Sequence, residues 1–192
     1  MTGEPARPPA APRGGTKIRL RRVRSDDGPD LARAWTDQAE MYARLDPEVF
    51  RIPSGDGLGA WLVGSLAEQA DPQRRLVLVA DVDGAAVGFV VAAVVAPHPA
   101  PERQMQRGLD TRSVRIEALV VRRDQWRRGV GTRLVTAVED WARNRGATLV
   151  TAQAFTAGPA ADFLAARGYA PRAVLHGRPL GVGFARDRGR LR

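Results

Sequence analysis

The segment Arg115–Arg145, RIEALVVRRDQWRRGVGTRLVTAVEDWARNR, constrains this chain more than any other. It reads as a strand, an arginine-rich turn and a helix in direct succession. Ile116, Leu119, Val120 and Val121 are apolar and mostly β-branched, as a buried strand requires. Residues 122–128 (RRDQWRR) are too charged for a core. Gly129 and Gly131 follow, and Val130, Leu134, Val135, Val138 and Trp141 recur at the spacing of one helix face. A strand feeding a glycine turn that opens a helix is a ready phosphate site. The first helical N–H groups lack internal partners, and the dipole there favours negative charge.

The spacing excludes the two best-known phosphate loops. A Walker A loop needs lysine after its second glycine, and Thr132 follows Gly131. A dinucleotide fingerprint needs a third glycine where Leu134 stands. The run Trp126-Arg127-Arg128-Gly129-Val130-Gly131, with Leu119-Val120-Val121 ahead of it, resembles the acetyl-CoA loop of the GNAT superfamily of N-acetyltransferases. That family's pattern is Gln/Arg-x-x-Gly-x-Gly/Ala after an apolar-x-Val strand. The alignment from Leu119 to Gly131 needs no gap, with Trp126 standing where Gln or Arg is usual.

The chain of 192 residues reads as one domain with room for a real core. Residues 1–16 are rich in Pro, Gly and Ala and read as a flexible arm, 17–181 as a single domain, and 182–192 as a basic tail. No stretch approaches ~20 uninterrupted apolar residues, so no membrane partner is expected. The start lacks the apolar core of a signal peptide, which favours the cytoplasm. With no cysteine, thiol catalysis and thiolate metal sites are excluded. His98 and His176 are too isolated for a metal pair, so no metal is expected.

The formal net charge of +9 invites a nucleic-acid reading. However, Lys17 is the only lysine, the arginines are spread along the chain, and aromatics are sparse. That pattern is a compositional bias without a stacking platform for bases, so no specific nucleic-acid partner is expected. A basic surface does suit a polyanion such as CoA.

In order, residues 17–24 read as a charged strand, 31–45 as a helix and 58–70 as a second helix with Leu58, Trp61, Leu62, Ser65 and Leu66 on one face. Residues 76–81 and 86–95 flank Asp83-Gly84, a strong hairpin signal, and Gly88 suggests a bulge or close packing. After the central segment, 148–155 reads as a strand, 159–167 as a short helix and 169–180 as a final hairpin. The expected fold is α/β, with a mixed, mostly antiparallel sheet and helices on both faces. The order is similar to the acyl-CoA N-acyltransferase fold from about residue 17 to 180.

The resemblance implies acetyl-CoA as co-substrate. Backbone amides of Arg127, Arg128, Gly129, Val130, Gly131 and Thr132 would bind its pyrophosphate, and the main chain of Leu119, Val120 and Val121 would face the pantetheine and acetyl group. Glu117 lies where many members carry the general base; its other reading is a glutamate salt-bridged to Arg115 or an arginine across the sheet. The tyrosine that often protonates the leaving thiolate is replaced by Leu164, and Ala157 replaces an asparagine. Tyr42 is the candidate substitute acid, with an ordinary helix residue as the alternative. Asp46, Glu48 and Asp56 read as solvated loop charges; their other reading is attraction of a cationic amine.

The reading is direct acetyl transfer to a primary amine of a small molecule or peptide, by a monomer or homodimer. The alternative is a catalytically impaired acyl-CoA-binding sensor or regulatory module, motivated by Leu164 and Ala157. Antibiotic amines, polyamines, amino acids, peptide N-termini and protein lysines remain open as acceptors, and another short acyl group as donor.

Overall fold

The structure is a computed structural model that describes residues 17–155 and 158–174. The expected arm (1–16), the tail (182–192), Ala157 and His176 lie outside the described residues. Five strands form one sheet: β1 (Ile18–Arg21), β2 (Arg75–Val82), β3 (Ala85–Val95), β4 (Ser113–Val121) and β5 (Leu149–Ala152), in that spatial order. The first three pairings are antiparallel and β4–β5 is parallel. Helices α1 (Gly28–Leu45) and α2 (Leu58–Glu68) cover one face, while α3 (Val130–Asn144) covers the other. The short α4 (Pro159–Ala166) sets Phe163 against the α3 side of the core.

Strand alternation divides the core into two layers. Phe89 and Val91 of β3 meet Leu31, Leu62 and Leu66 beneath α1 and α2. Val90 and Ala92, the intervening residues, meet Leu134, Val135 and Val138 of α3. Each fully buried Leu, Val or Phe contributes about 1.5–3 kcal/mol from removal of apolar surface from water. Asp83 and Gly84 turn between β2 and β3 with left-handed backbones (φ 52° and 90°), as the hairpin signal demands. Gly88 fulfils both halves of its expectation. The pairing slips one residue beside it, and a Cβ there would lie 2.5 Å from the Val120 carbonyl oxygen.

One irregularity shapes everything that follows. Val91 pairs with Ala118 and Ala92 with Ile116, so Glu117 is an extra residue bulged out of β4. The β4–β5 pairing ends at Ile116 and Ala152, immediately before that bulge. The expected strand over 148–155 is therefore only four residues long. Among the described residues, β4 continues beyond the bulge paired with β3 alone, and residues 153–155 carry no strand.

Three further expectations need correction. The first strand stops at Arg21, whose guanidinium is drawn into a buried cluster. Trp61 leaves the buried face of α2 and is 57 % exposed, because Leu58, Leu62 and Leu66 alone complete the i, i+4 stripe. Residues 169–174 carry no strand, since Tyr169 instead reaches the Glu139 carboxylate (3.2 Å); 175–180 lie outside the described residues.

The Arg21 cluster fastens β1 to β2 and to the entry of α1. Arg21 donates from Nε to Asp81 (2.7 Å) and from both terminal nitrogens to Asp27 (2.7 Å each). Asp27 also accepts from the Arg24 main chain, and both carboxylates are buried. Burial alone would raise the Asp27 carboxyl, but its hydrogen bonds from Arg21 and Arg24 hold it below the usual range. The Arg21 hydrogen bond likewise holds Asp81 down.

Candidate active site

Where β4 and β5 part, a cleft of about 740 Å³ opens. Its walls are β4 from Ile116 to Val121, the turn and start of α3, the α4 segment and the α1 residues Gln38 and Tyr42. The main chain of β4 faces it at alternate residues. The Leu119 carbonyl accepts from Gln38 Nε2 (3.3 Å), and the Val121 carbonyl accepts from the Trp126 indole (2.7 Å). Arg122 N–H turns the other way, to Val87 of β3 (2.8 Å). In a strand the N–H and C=O of one residue share a side. The N–H groups of Leu119 and Val121 therefore face the cleft, and the polar groups of Val120 face β3.

The turn after β4 leads the chain to an open helix start. Gly129 precedes α3 in the left-handed region (φ 85°), where a side chain is disfavoured. The first bond along α3 runs from Arg133 N–H to the Gly129 carbonyl (2.9 Å), and no side chain caps the helix. The N–H groups of Val130, Gly131 and Thr132 thus lack intrahelical partners at the cleft. Arg127 also adopts a left-handed backbone (φ 59°), a strained conformation for a non-glycine residue. Gly131 lies beneath the Phe163 ring, which a Cβ would approach to 3.4 Å.

Carboxylates of α1 hold this turn. Asp37 accepts from the Arg123 main chain (2.8 Å), and Asp30 pairs with Arg122 (3.5 Å). Trp126, the departure from the usual loop pattern, closes the turn onto the last residue of β4 through its indole. Such a bond contributes about 0.5–1.5 kcal/mol net. The roles of Trp126 and Gln38 were not read from the sequence. The signal for Gln38 was its i, i+4 spacing from Tyr42 on one helix face.

The bulge aims Glu117 at the cleft wall, with its side chain 24 % exposed. Its carboxylate pairs with Arg75 (2.9 Å) and Arg115 (3.3 Å). Arg75 and Arg115 flank Ala93 in register, so both ion-pair partners expected from the sequence, a neighbour and an arginine across the sheet, are present. Tyr42 also reaches the cleft. Its hydroxyl accepts from Gln38 Nε2 (3.4 Å), and its ring packs on Phe50 and Phe155 with centroids 5.0 and 5.5 Å away. Burial pushes the Tyr42 phenol up, against the pull of the Gln38 hydrogen bond. Leu164 lines the same cleft. Among the described residues no three His, Asp or Glu side chains gather as a metal site, and His98 accepts a bond from Ala100 N–H in its loop. No described helix is long and apolar enough to cross a membrane.

Main-chain N–H groups thus face the cleft from the β4 edge and from the uncapped start of α3. The profile of the acetyltransferase (GNAT) family matches residues 36–169, which include every cleft-lining residue except Trp35. The chain belongs to the GNAT family. It is accordingly an acyltransferase. The GNAT fold is equally evident in solved structures. A mutant of the BH1408 protein of Bacillus halodurans superposes with a TM-score of 0.68 at 18% identity, covering 85% of this chain and 99% of that one. An integron cassette protein of V. cholerae gives 0.62 at 16% identity, covering 90% and 98%. An aminoglycoside acetyltransferase from an uncultured soil metagenomic sample, in complex with sisomicin, gives 0.54 at 20% identity, covering 85% and 97%. No curated protein matches this sequence.

Proposed function

We propose that this GNAT enzyme transfers the acetyl group of acetyl-CoA directly to a primary amine in the β4–β5 cleft. The carrying observation is the continuity of the unpaired β4 edge with the uncapped start of α3. The amides of residues 127–132 receive the pyrophosphate, and helix polarity and the nearby Arg127 and Arg128 favour its charge. The β4 edge takes the pantetheine arm in place of the missing strand. The N–H of Leu119 or Val121 polarises the thioester carbonyl and stabilises the oxyanion formed by amine attack. Val120, whose polar groups face β3, lines the cleft without offering it an N–H.

In this reading Glu117 accepts the amine proton, directly or through water. Collapse of the tetrahedral intermediate breaks the C–S bond, and the thiolate takes a proton from water or from Tyr42. The acceptor is a small amine; the soil aminoglycoside acetyltransferase with sisomicin bound supports that class through fold likeness. Thiol release from acetyl-CoA with a panel of amines tests the proposal. Acetyl-CoA alone raises the unfolding midpoint by mass action, and at least one amine releases thiol. A midpoint shift without thiol release from any amine would instead match the acyl-CoA sensor.

A further inference from the structure

A second hollow adjoins the cleft across Trp35, which lines both. It encloses about 290 Å³ between Trp35, Trp61, Pro53 and Asp56, where α2 begins. Its aromatic wall is supported from the core. Trp35 stacks on buried Phe89 (6.0 Å, 17° between planes), and Trp61 meets Trp35 edge-on (6.3 Å, 65°). The stack ends at the surface with Trp61 mostly exposed.

Two groups there are unspent. Among the described residues, no hydrogen bond or ion pair engages the Asp56 carboxylate; only its main-chain N–H is bonded, to Ser54 Oγ (3.4 Å). The Trp61 indole N–H is likewise unpartnered. Asp56 is exposed and lines the hollow together with both indoles. Indole faces beside a carboxylate attract a cation through ring quadrupole and charge together.

We propose that this hollow binds a second cationic nitrogen of the acceptor, making the substrate class a diamine or polyamine. The inference rests on the reading of the neighbouring cleft as the acetyl-transfer site. The acceptor spans Trp35: one amine, deprotonated, meets the thioester, and the other, protonated, lies against Trp61 and Asp56. The overall positive charge repels dications in general, and Asp56 supplies a local anion on the far side of Trp35.

Two measurements on the full chain test it. The first is thiol release from acetyl-CoA with butylamine and with α,ω-diamines of increasing length. At one length the diamine KM falls about fivefold below that of butylamine. The KM ratio collapses toward unity in Asp56→Asn and Trp61→Ala and is largely kept in Trp61→Phe. The second follows the Trp61 indole NMR signal, assigned with Trp61→Phe, during titration with tetramethylammonium chloride against sodium chloride. A saturable shift specific to tetramethylammonium, lost in Asp56→Asn, is expected. No diamine preference at any length, a ratio unchanged in the variants, or no saturable shift would each overturn the proposal. If no amine is turned over but the saturable shift occurs, the cation site stands and the transferase reading of the cleft falls. If Asp56→Asn lowers only thermal stability, the carboxylate serves only the helix start, and the proposal is overturned.

Discussion

Two arginine–carboxylate triads cross this sheet, and each is the inverse of the other. At β1–β2 one arginine, Arg21, lies between two carboxylates, Asp27 and Asp81, both buried. At the bulge of β4 one carboxylate, Glu117, lies between two arginines, Arg75 and Arg115, both partly open to solvent. The first triad directs all three guanidinium nitrogens into short bonds and fastens the entry of α1. The second stands where the sheet splits and where water can reach its anion. The difference teaches that location decides what such a triad does. Enclosed, it holds structure; at a gap, it can exchange partners.

The largest effect is expected from breaking the enclosed triad. Arg21→Met strands two buried carboxylates and costs about 3–5 kcal/mol of stability, read from urea midpoints. The open triad answers in rate. Glu117→Gln lowers turnover on the order of 10²-fold, while the acetyl-CoA dissociation constant stays within about twofold, as thiol release and calorimetry will show. Turnover unaltered at every pH would remove Glu117 from the chemistry.

Acid separates the two triads further. Asp27 and Asp81 are held below their usual range, so their contribution is complete above roughly pH 4 and is lost as pH falls through the lowered values. Denaturant midpoints of the native chain should therefore decline below roughly pH 4, and more steeply than those of Asp27→Asn. The smallest effect belongs to Arg115→Ala. Its half-exposed pair is worth under about 1 kcal/mol, so the unfolding midpoint barely moves.

The strand, turn and helix start of the proposed donor half were legible in the sequence, and the reason is local. Val121, Gly129 and Gly131 are linked by backbone geometry over a few residues, so their spacing carries their meaning. The hairpin at Asp83-Gly84 and the α3 face were legible for the same cause. What the sequence concealed depends on residues brought from afar. Arg75 reaches Glu117 only because β2 and β4 flank Ala93. Arg21 alternates like any exposed strand residue until the start of α1 covers it. The four-residue length of β5 follows from a bulge in another strand, and no feature of residues 148–155 announces it. Trp61 fitted a helix stripe by period, but Leu58, Leu62 and Leu66 already filled that face.

Gly88 lies on the strand behind the cleft wall, and its missing side chain has a reach beyond its own pairing. A methyl group there would press on the Val120 carbonyl from the rear. Val120 cannot withdraw without carrying Leu119 and Val121 forward, since the three share one stiff ribbon. Position 88 therefore acts as a set-screw. Bulk added on the far side of β4 would advance the wall and narrow the gap between the diverging strands, with no lining residue replaced.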